Sequence, residues 1–218
     1  MNGNDETTKS LEEIIKEYEL KISENTSNSE EIALEYSRLL SNFFSSKLDF
    51  IKLKRITDEL KRITDELKKL DDKYNNKEIG LIYAKSLSDY TFKDTDKEEY
   101  KAILSLKELD EKYNDERIGF QYAILLFIFI SEQRKRKEYE EYKDTLMFFK
   151  KLEEKYNDER IGLIYVEVLD YYVFKQIEEK RYESILSLFK KLSKKYNYNE
   201  NICDKFLKIS LNEKNLYY

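Results

Sequence analysis

The stretch that decides the fold is KELDEKYNDERIGFQYAILL, which occupies residues 107–126. A close copy, KKLEEKYNDERIGLIYVEVL, occupies residues 150–169, and a third, KKLDDKYNNKEIGLIYAKSL, occupies residues 68–87. A divergent copy, KKLSKKYNYNENICDKFLKI, begins at Lys190, and a shorter one, EIALEYSRLL, begins at Glu31. Because repetition at a period of roughly 40 residues is typical of stacked supersecondary units, the sequence predicts a helical repeat protein.

One tyrosine recurs at the same place in the four longer copies and marks the period. Its occurrences are Tyr74, Tyr113, Tyr156 and Tyr196. They are separated by 39, 43 and 40 residues. The earlier interval, from Ala33 to Gly80, is 47 residues, which is one heptad longer than this period.

The extra heptad is a duplication, since KRITDEL occupies residues 54–60 and again residues 61–67. Seven residues are close to two helical turns, so the duplication keeps the apolar side chains nearly in phase. The sequence therefore predicts one continuous helix from about Leu48 to Tyr74. The apolar side chains expected on one face of this helix are Ile56, Leu60, Ile63 and Leu67.

Helical periodicity and capping signals predict about ten helices. Their expected ranges are 10–24, 29–45, 48–74, 77–92, 97–113, 116–133, 138–156, 159–176, 179–196 and 199–212. We expect one helical repeat domain over residues 10–212, with a disordered N-terminal tail at residues 1–9 and a C-terminal tail at residues 213–218. Capping boxes are expected at Ser10 with Glu13 and at Ser27 with Glu30.

The links between copies have a predictable conformation. Asn114 and Asn157 suit the left-handed residue that ends a helix. Asp115 and Asp158 suit the N-cap of the following helix, where the carboxylate accepts backbone N–H groups. KYNDERIG is therefore predicted to be a helix end, a tight turn and a helix start.

Composition excludes several kinds of catalytic site. The 218 residues include no histidine, no proline and one cysteine, Cys203. Without histidine there is no Ser-His-Asp triad and no histidine metal ligand, and one cysteine excludes an intramolecular disulfide. Neither a glycine-rich phosphate loop nor a metal-ligand spacing stands out, so we expect no catalysis, no cofactor and no metal.

Charge and hydropathy bear on partners and location. The net charge of −5 gives no support for nucleic-acid binding. The most apolar run, YAILLFIFI at residues 122–130, is much shorter than the roughly 20 apolar residues that span a bilayer. The polar start, MNGNDETTKS, lacks the features of a targeting signal. We expect a cytoplasmic protein that binds neither nucleic acid nor membrane.

The copies resemble tetratricopeptide repeats (TPR) over roughly residues 29–212. In that family the first helix carries a small residue with a tyrosine three positions later. The corresponding pairs are Ala33 with Tyr36, Gly80 with Tyr83, Gly119 with Tyr122 and Gly162 with Tyr165. The second helix of the family opens on an aromatic residue followed by apolar positions. Tyr142, Thr145, Phe149 and Leu152 match that pattern.

The resemblance implies an all-α solenoid of stacked antiparallel helical hairpins. The units here are longer than the 34 residues of the family, and they lack its closing proline. A different α-solenoid is the alternative. Gly80, Gly119 and Gly162 are expected in mid-helix, where a small residue permits close helix packing, and the tyrosines three positions later are expected in the core with their hydroxyls at the rim.

By the same resemblance, a partner binds in a concave groove lined by the first helix of each hairpin, with contact positions one, four and five residues after the small residue. The groove residues, with Phe127 added one turn further, are Leu81, Phe120, Ala123, Ile124, Phe127, Leu163 and Val166. The stripe is most apolar at Phe120, Ala123 and Ile124. Two interpretations stay open: the stripe is a binding surface, or the long helices bury it as core.

We expect a non-catalytic scaffold that binds a peptide, a helix or a partner protein in this groove. The alternatives are a self-associating structural repeat protein and an enzyme or nucleotide-binding regulator on a helical scaffold, which a convergent polar pocket would favour. The asparagine that holds a C-terminal carboxylate in clamp-type TPR proteins is replaced by Leu81, Phe120 and Leu163. The basic run RKRK at residues 134–137 is expected to be a solvated loop.

Overall fold

The secondary structure is helical throughout a computed structural model that describes residues 10–25, 27–47, 54–90, 96–136, 142–173, 179–197 and 199–205. The helices are α1 (Leu11–Glu24), α2 (Ser29–Lys47), α3 (Lys54–Tyr74), α4 (Lys77–Tyr90), α5 (Asp96–Tyr113), α6 (Glu116–Arg136), α7 (Tyr142–Tyr156), α8 (Glu159–Val173) and α9 (Glu179–Lys195). Residues 200–205 are also helical, and no strand occurs in the described ranges. The all-α class and the approximate number of helices are confirmed.

The helix ends agree with the predicted ones to within a few residues wherever they are described. The clearest difference is α6, which continues to Arg136 instead of ending at residue 133. The expectation of a loop at RKRK is therefore wrong for residues 134–136. Arg and Lys are good helix formers, and positive charge near a helix C-terminus interacts favourably with the helix dipole. The predicted tails at residues 1–9 and 213–218 lie outside the described residues.

The connections between helices adopt the predicted turn. Asn157 has φ of 52° and donates its N–H to the carbonyl oxygen of Glu153 at 3.0 Å. Asp158 then caps α8, because its Oδ1 accepts the N–H of Arg160 at 2.7 Å. The same left-handed conformation occurs at Asn75, Asn114 and Asn197. The equivalent caps are Asn76, Asp115 and Asn199.

One of the two predicted capping boxes forms. Ser10 Oγ accepts the N–H of Glu13 at 3.3 Å, and the Ser10 N–H donates to Glu13 Oε2 at 2.7 Å. The box at Ser27 is wrong, since α2 begins two residues later, at Ser29. Asn28 takes the N-cap position, where its carbonyl oxygen accepts the first helical hydrogen bond, from the Ile32 N–H at 3.1 Å.

The duplicated heptad lies in a single helix, as predicted. Both copies of KRITDEL fall within α3 without a break. Leu60, Ile63 and Leu67 are buried and share one face of the helix. The predicted extension to Leu48 and the side chain of Ile56 lie outside the described residues.

The chain divides into two compact units. Unit 1 comprises residues 1–98 and 111–113, and unit 2 comprises residues 99–110 and 114–218. Within unit 1, α2 packs against α1, α3 and α4. Within unit 2, α8 packs against α6, α7 and α9. None of the described helices is both long enough and apolar enough to cross a membrane.

Candidate functional site

A recurrent cluster of four residues lies where one helix ends and the next begins. It combines an acidic residue in the last turn of one helix, a glycine in the first turn of the next helix, and a Lys–Tyr pair that closes a third helix. We call each cluster a joint. Joint 1 is Asp71, Gly80, Lys112 and Tyr113; joint 2 is Asp110, Gly119, Lys155 and Tyr156; joint 3 is Glu153, Gly162, Lys195 and Tyr196.

The Lys–Tyr pair binds the acidic side chain in every joint. In joint 1, the Tyr113 hydroxyl donates to Asp71 Oδ1 at 2.5 Å and Lys112 Nζ donates to Asp71 Oδ2 at 2.8 Å. In joint 2, Lys155 Nζ donates to Asp110 Oδ2 at 2.7 Å, and the Tyr156 hydroxyl donates to the other carboxylate oxygen. Asp71 and Asp110 therefore each have a partner on both carboxylate oxygens.

Joint 3 has the same composition with a longer acidic side chain. Lys195 Nζ and the Tyr196 hydroxyl both donate to Glu153 Oε1, at 2.5 Å and 2.6 Å. The hydroxyl also lies 3.2 Å from the carbonyl oxygen of Asp158. The same residue types thus form the same charge-assisted contact three times, each time between helix ends that are distant in sequence.

The glycine of each joint lies beneath the tyrosine ring. A Cβ added to Gly119 would be 2.2 Å from Cε2 of Tyr156, and one added to Gly80 would be 2.3 Å from Cε2 of Tyr113. At Gly162 the corresponding distance, to Cε2 of Tyr196, is 2.4 Å. The expected close packing is real, but the partner is an aromatic ring, and the glycines lie in the first turn instead of in mid-helix.

Burial makes these contacts strong. The acidic side chains of the three joints are between 3% and 6% exposed. Burial and the hydrogen bond to the carboxylate raise the pKa of Tyr113, Tyr156 and Tyr196 well above its ordinary value of about 10. Each phenol is thereby held in its neutral, donating form beside a carboxylate.

The tyrosines three positions after the small residue are buried, as expected: Tyr36, Tyr83, Tyr122 and Tyr165. The expectation of a hydroxyl at the rim is wrong for Tyr36. Its hydroxyl is buried and has no hydrogen-bond partner among the described residues. The ring of Tyr18 from α1 stacks on the Tyr36 ring at a centroid distance of 4.8 Å, so an additional helix element covers this position.

Tyr74, which closes α3, also has a buried hydroxyl with no partner among the described residues. The small residue at the start of the preceding helix is Ala33, which already carries a Cβ, in place of glycine. The last turn of α1 contributes Lys21, which pairs with Glu17 at 2.8 Å. Tyr74 therefore lacks the acceptor that the three other closing tyrosines have.

The residues predicted to line a groove differ in exposure. Ala123 and Val166 are buried in the helix packing of unit 2. Phe120, Ile124, Phe127 and Leu163 are half-buried in the same unit. Leu81 is half-buried in unit 1. The side chains that a partner could touch are therefore the larger members of the set.

In unit 2 the residues at the equivalent positions are apolar on α6 and partly charged on α8. Phe120, Ile124 and Phe127 lie one, five and eight residues after Gly119 on α6. At the same distances after Gly162, α8 carries Leu163, Glu167 and Asp170. Residues 200–205 supply Lys205, whose Nζ donates to Glu167 Oε2 at 2.5 Å and to Asp170 Oδ2 at 3.2 Å.

The apolar residues of α6 are bordered by a cation. The guanidinium carbon of Arg160 lies 4.5 Å from the ring centroid of Phe120, a geometry suited to a cation–π contact. Arg160 is held by Asp158, whose pKa is lowered by the hydrogen bonds from Arg160. One face of the Phe120 ring therefore contacts the guanidinium group of Arg160, which is hydrogen-bonded to Asp158.

No group of three or more acidic or cysteine side chains is placed to hold a metal ion in the part of the chain that the structure describes. Sequence analysis missed the acidic member of each joint, although a signal was present. An acidic residue stands three positions before the tyrosine at Asp71, Asp110 and Glu153. Comparison with known proteins adds no assignment, since no family model, no curated protein and no solved structure matches the chain.

Proposed function

We propose that the chain is a TPR-like helical repeat protein that binds a partner protein and performs no chemistry itself. The binding surface is the apolar face of α6 in unit 2, formed by Phe120, Ile124 and Phe127. We call this surface the α6 face. The half-buried state of these large side chains is the observation that carries the proposal.

The packing pattern supports the repeat architecture. In unit 1 the first helices of two successive hairpins, α2 and α4, contact each other as well as their own partner helices. In unit 2 the same relation holds for α6 and α8. In a stack of helical hairpins the first helices lie side by side and line one surface.

The apolar character of the α6 face is not a requirement of the repeat. Ile124 and Phe127 have charged equivalents on α8, Glu167 and Asp170. Unit 2 therefore accommodates charge at these positions, with Lys205 as the ion-pair partner. Large apolar side chains that the fold does not demand, and that stay partly accessible, are characteristic of an interaction surface.

Charge complementarity specifies the kind of partner. Among the described residues, Glu167 and Asp170 share one ammonium group, that of Lys205, which leaves one negative charge at the α8 positions equivalent to Ile124 and Phe127. The Glu167 side chain is 40% exposed. The fitting occupant is an amphipathic helix with apolar anchors spaced by three or four residues and a Lys or Arg at one edge.

The test is the variant Ile124→Glu, which places on α6 the residue that α8 carries at the equivalent position. The fold should persist, because Ile124 is half-buried, and partner binding should be lost. The matched control is Met147→Glu, which changes an exposed apolar side chain on α7. Proteins captured from source lysate by wild type and by the control, but not by Ile124→Glu, are then tested as purified segments for a basic amphipathic helix.

Binding that survives Ile124→Glu, in a variant whose melting temperature is unchanged, would contradict the proposal. Light scattering on the same three proteins distinguishes a second copy of the chain as the occupant. Loss of a dimer in Ile124→Glu alone would identify self-association through the α6 face.

A further inference from the structure

A fourth position in the chain has the backbone of a joint but different side chains. Asn199 caps the helical residues 200–205, since its Oδ1 accepts the N–H of Asn201 at 3.0 Å. The N–H of Cys203 donates to the Asn199 carbonyl oxygen at 3.0 Å. In joint 3 the Gly162 N–H donates in the same way to the carbonyl oxygen of Asp158 at 2.9 Å. Cys203 therefore occupies the glycine position.

The acidic position of this cluster is also changed. Ser193 lies three residues before Tyr196, as Glu153 lies three residues before Tyr156. Ser193 is buried, and its Oγ lies 3.2 Å from the Sγ of Cys203. The two replacements contact each other, whereas in joints 1 to 3 a tyrosine ring lies on the glycine and its hydroxyl donates to the acidic side chain.

We propose that the Ser193–Cys203 pair prevents a further Lys–Tyr-bearing helix from docking on the helical residues 200–205. We call this pair the closed joint. Two independent changes exclude the incoming side chains. A hydroxyl replaces the carboxylate that would accept them, and the Cβ of Cys203 stands where a Cβ would lie 2.2–2.4 Å from the ring in joints 1 to 3.

Joints 1 to 3 indicate what would bind at this position if it were not closed. A carboxylate above a glycine is a ready acceptor for any helix that ends in Lys–Tyr, and this chain carries several such helix ends. An unfilled acceptor of this kind would bind a Lys–Tyr helix end of a second copy, and heterologous contacts extend into filaments unless their rotation closes a ring. In the closed joint this carboxylate is absent, and Ser193 Oγ and Cys203 Sγ contact each other instead.

The direct test opens the closed joint in the full chain. The variant is Ser193→Glu with Cys203→Gly, and the probe is a fluorescein-labelled peptide of residues 142–157, which ends in Lys155, Tyr156 and Asn157. Fluorescence anisotropy should show binding to the variant at least about tenfold tighter than to wild type, because a hydrogen bond to a charged group is gained. A peptide with Tyr156→Phe is the matched control and should lose about tenfold.

Equal binding of the peptide by wild type and by the opened variant would overturn the proposal. So would failure of the opened variant to bind while its circular dichroism is unchanged. Equal binding of the two peptides would show that the tyrosine hydroxyl is not recognised, which also contradicts it.

The reciprocal variant keeps the proposal testable if the opened chain is unstable. Glu153→Ser with Gly162→Cys places the closed pair in joint 3, where Tyr196 docks. Amide hydrogen exchange over residues 190–196 should accelerate by about tenfold or more. Tyr196 would lose the carboxylate that accepts its hydroxyl hydrogen bond and the glycine on which its ring packs. Glu154→Ser, at an exposed neighbouring position, is the control and should leave the rates unchanged. Unchanged exchange in the joint variant would refute exclusion by this pair.

Discussion

Tyr156→Phe tests the energetic role of the joints most directly. The substitution removes one hydroxyl from joint 2 and leaves the ring above Gly119 in place. Asp110 keeps the ion pair with Lys155 at 2.7 Å but loses the donor to its other oxygen. Because Asp110 is 6% exposed, water does not readily replace that donor.

The expected loss in the free energy of unfolding is about 2 kcal/mol. A hydrogen bond to a charged group contributes about 1.5–3 kcal/mol, and part of this contribution survives if the lysine shifts toward the freed oxygen. For a chain of this length, a loss of that size lowers the melting temperature by about 4–8 °C. Urea denaturation followed by circular dichroism gives the first quantity, and calorimetry gives the second.

Tyr74→Phe is the internal control, because the Tyr74 hydroxyl is buried with no hydrogen-bond partner among the described residues. Removing it should leave the stability unchanged or raise it by up to about 1 kcal/mol, since an unsatisfied buried hydroxyl carries a desolvation cost. If the two phenylalanine variants lose stability equally, the joints do not stabilise the fold through their hydroxyls.

Three further predictions follow from the same contacts. Gly119→Leu should destabilise the protein by about 2 kcal/mol or more, measured by urea denaturation, because its side chain would overlap the Tyr156 ring; an unchanged midpoint would contradict this. Since Tyr113, Tyr156 and Tyr196 have raised pKa values, their contribution to stability should be complete below about pH 10 and decline above it; the phenolate absorbance of these three residues, taken as the difference from their phenylalanine variants, should appear only as the helices unfold. Deletion of residues 61–67 should leave a cooperatively melting protein, because the remaining helix keeps its apolar face; a broad, uncooperative melt would contradict the repeat alignment.

The helices could be predicted from the sequence because the signals that end and start them are local. The left-handed asparagine and the following aspartate shape the turn at Asn157 and Asp158 through hydrogen bonds between residues that are close in sequence. The same reasoning gave the correct start of α2 at Ser29 but placed its capping box at Ser27, one residue before the N-cap, Asn28. It also ended α6 too early, because a run of Arg and Lys at residues 134–136 is compatible with both loop and helix.

The joints could not be predicted in full because they join residues that are about 40 positions apart. The sequence indicated that a small residue was needed at Gly119, but it did not identify the Tyr156 ring as the reason. Asp110 is one of 45 acidic residues in the chain, so its importance is visible only when the copies are aligned with contacts in mind. Burial of Ala123 and Val166 likewise depends on how α6 and α8 pack.

Helix α7 carries both halves of the docking chemistry at one end, the acceptor Glu153 and the donors Lys155 and Tyr156. A duplicated segment of about 40 residues therefore brings along everything that its neighbours require. Such a copy presents the same acceptor and donors whatever the length of helix between its ends. The repeated KRITDEL within α3 shows this tolerance, since seven added residues lie clear of the turn at Tyr74.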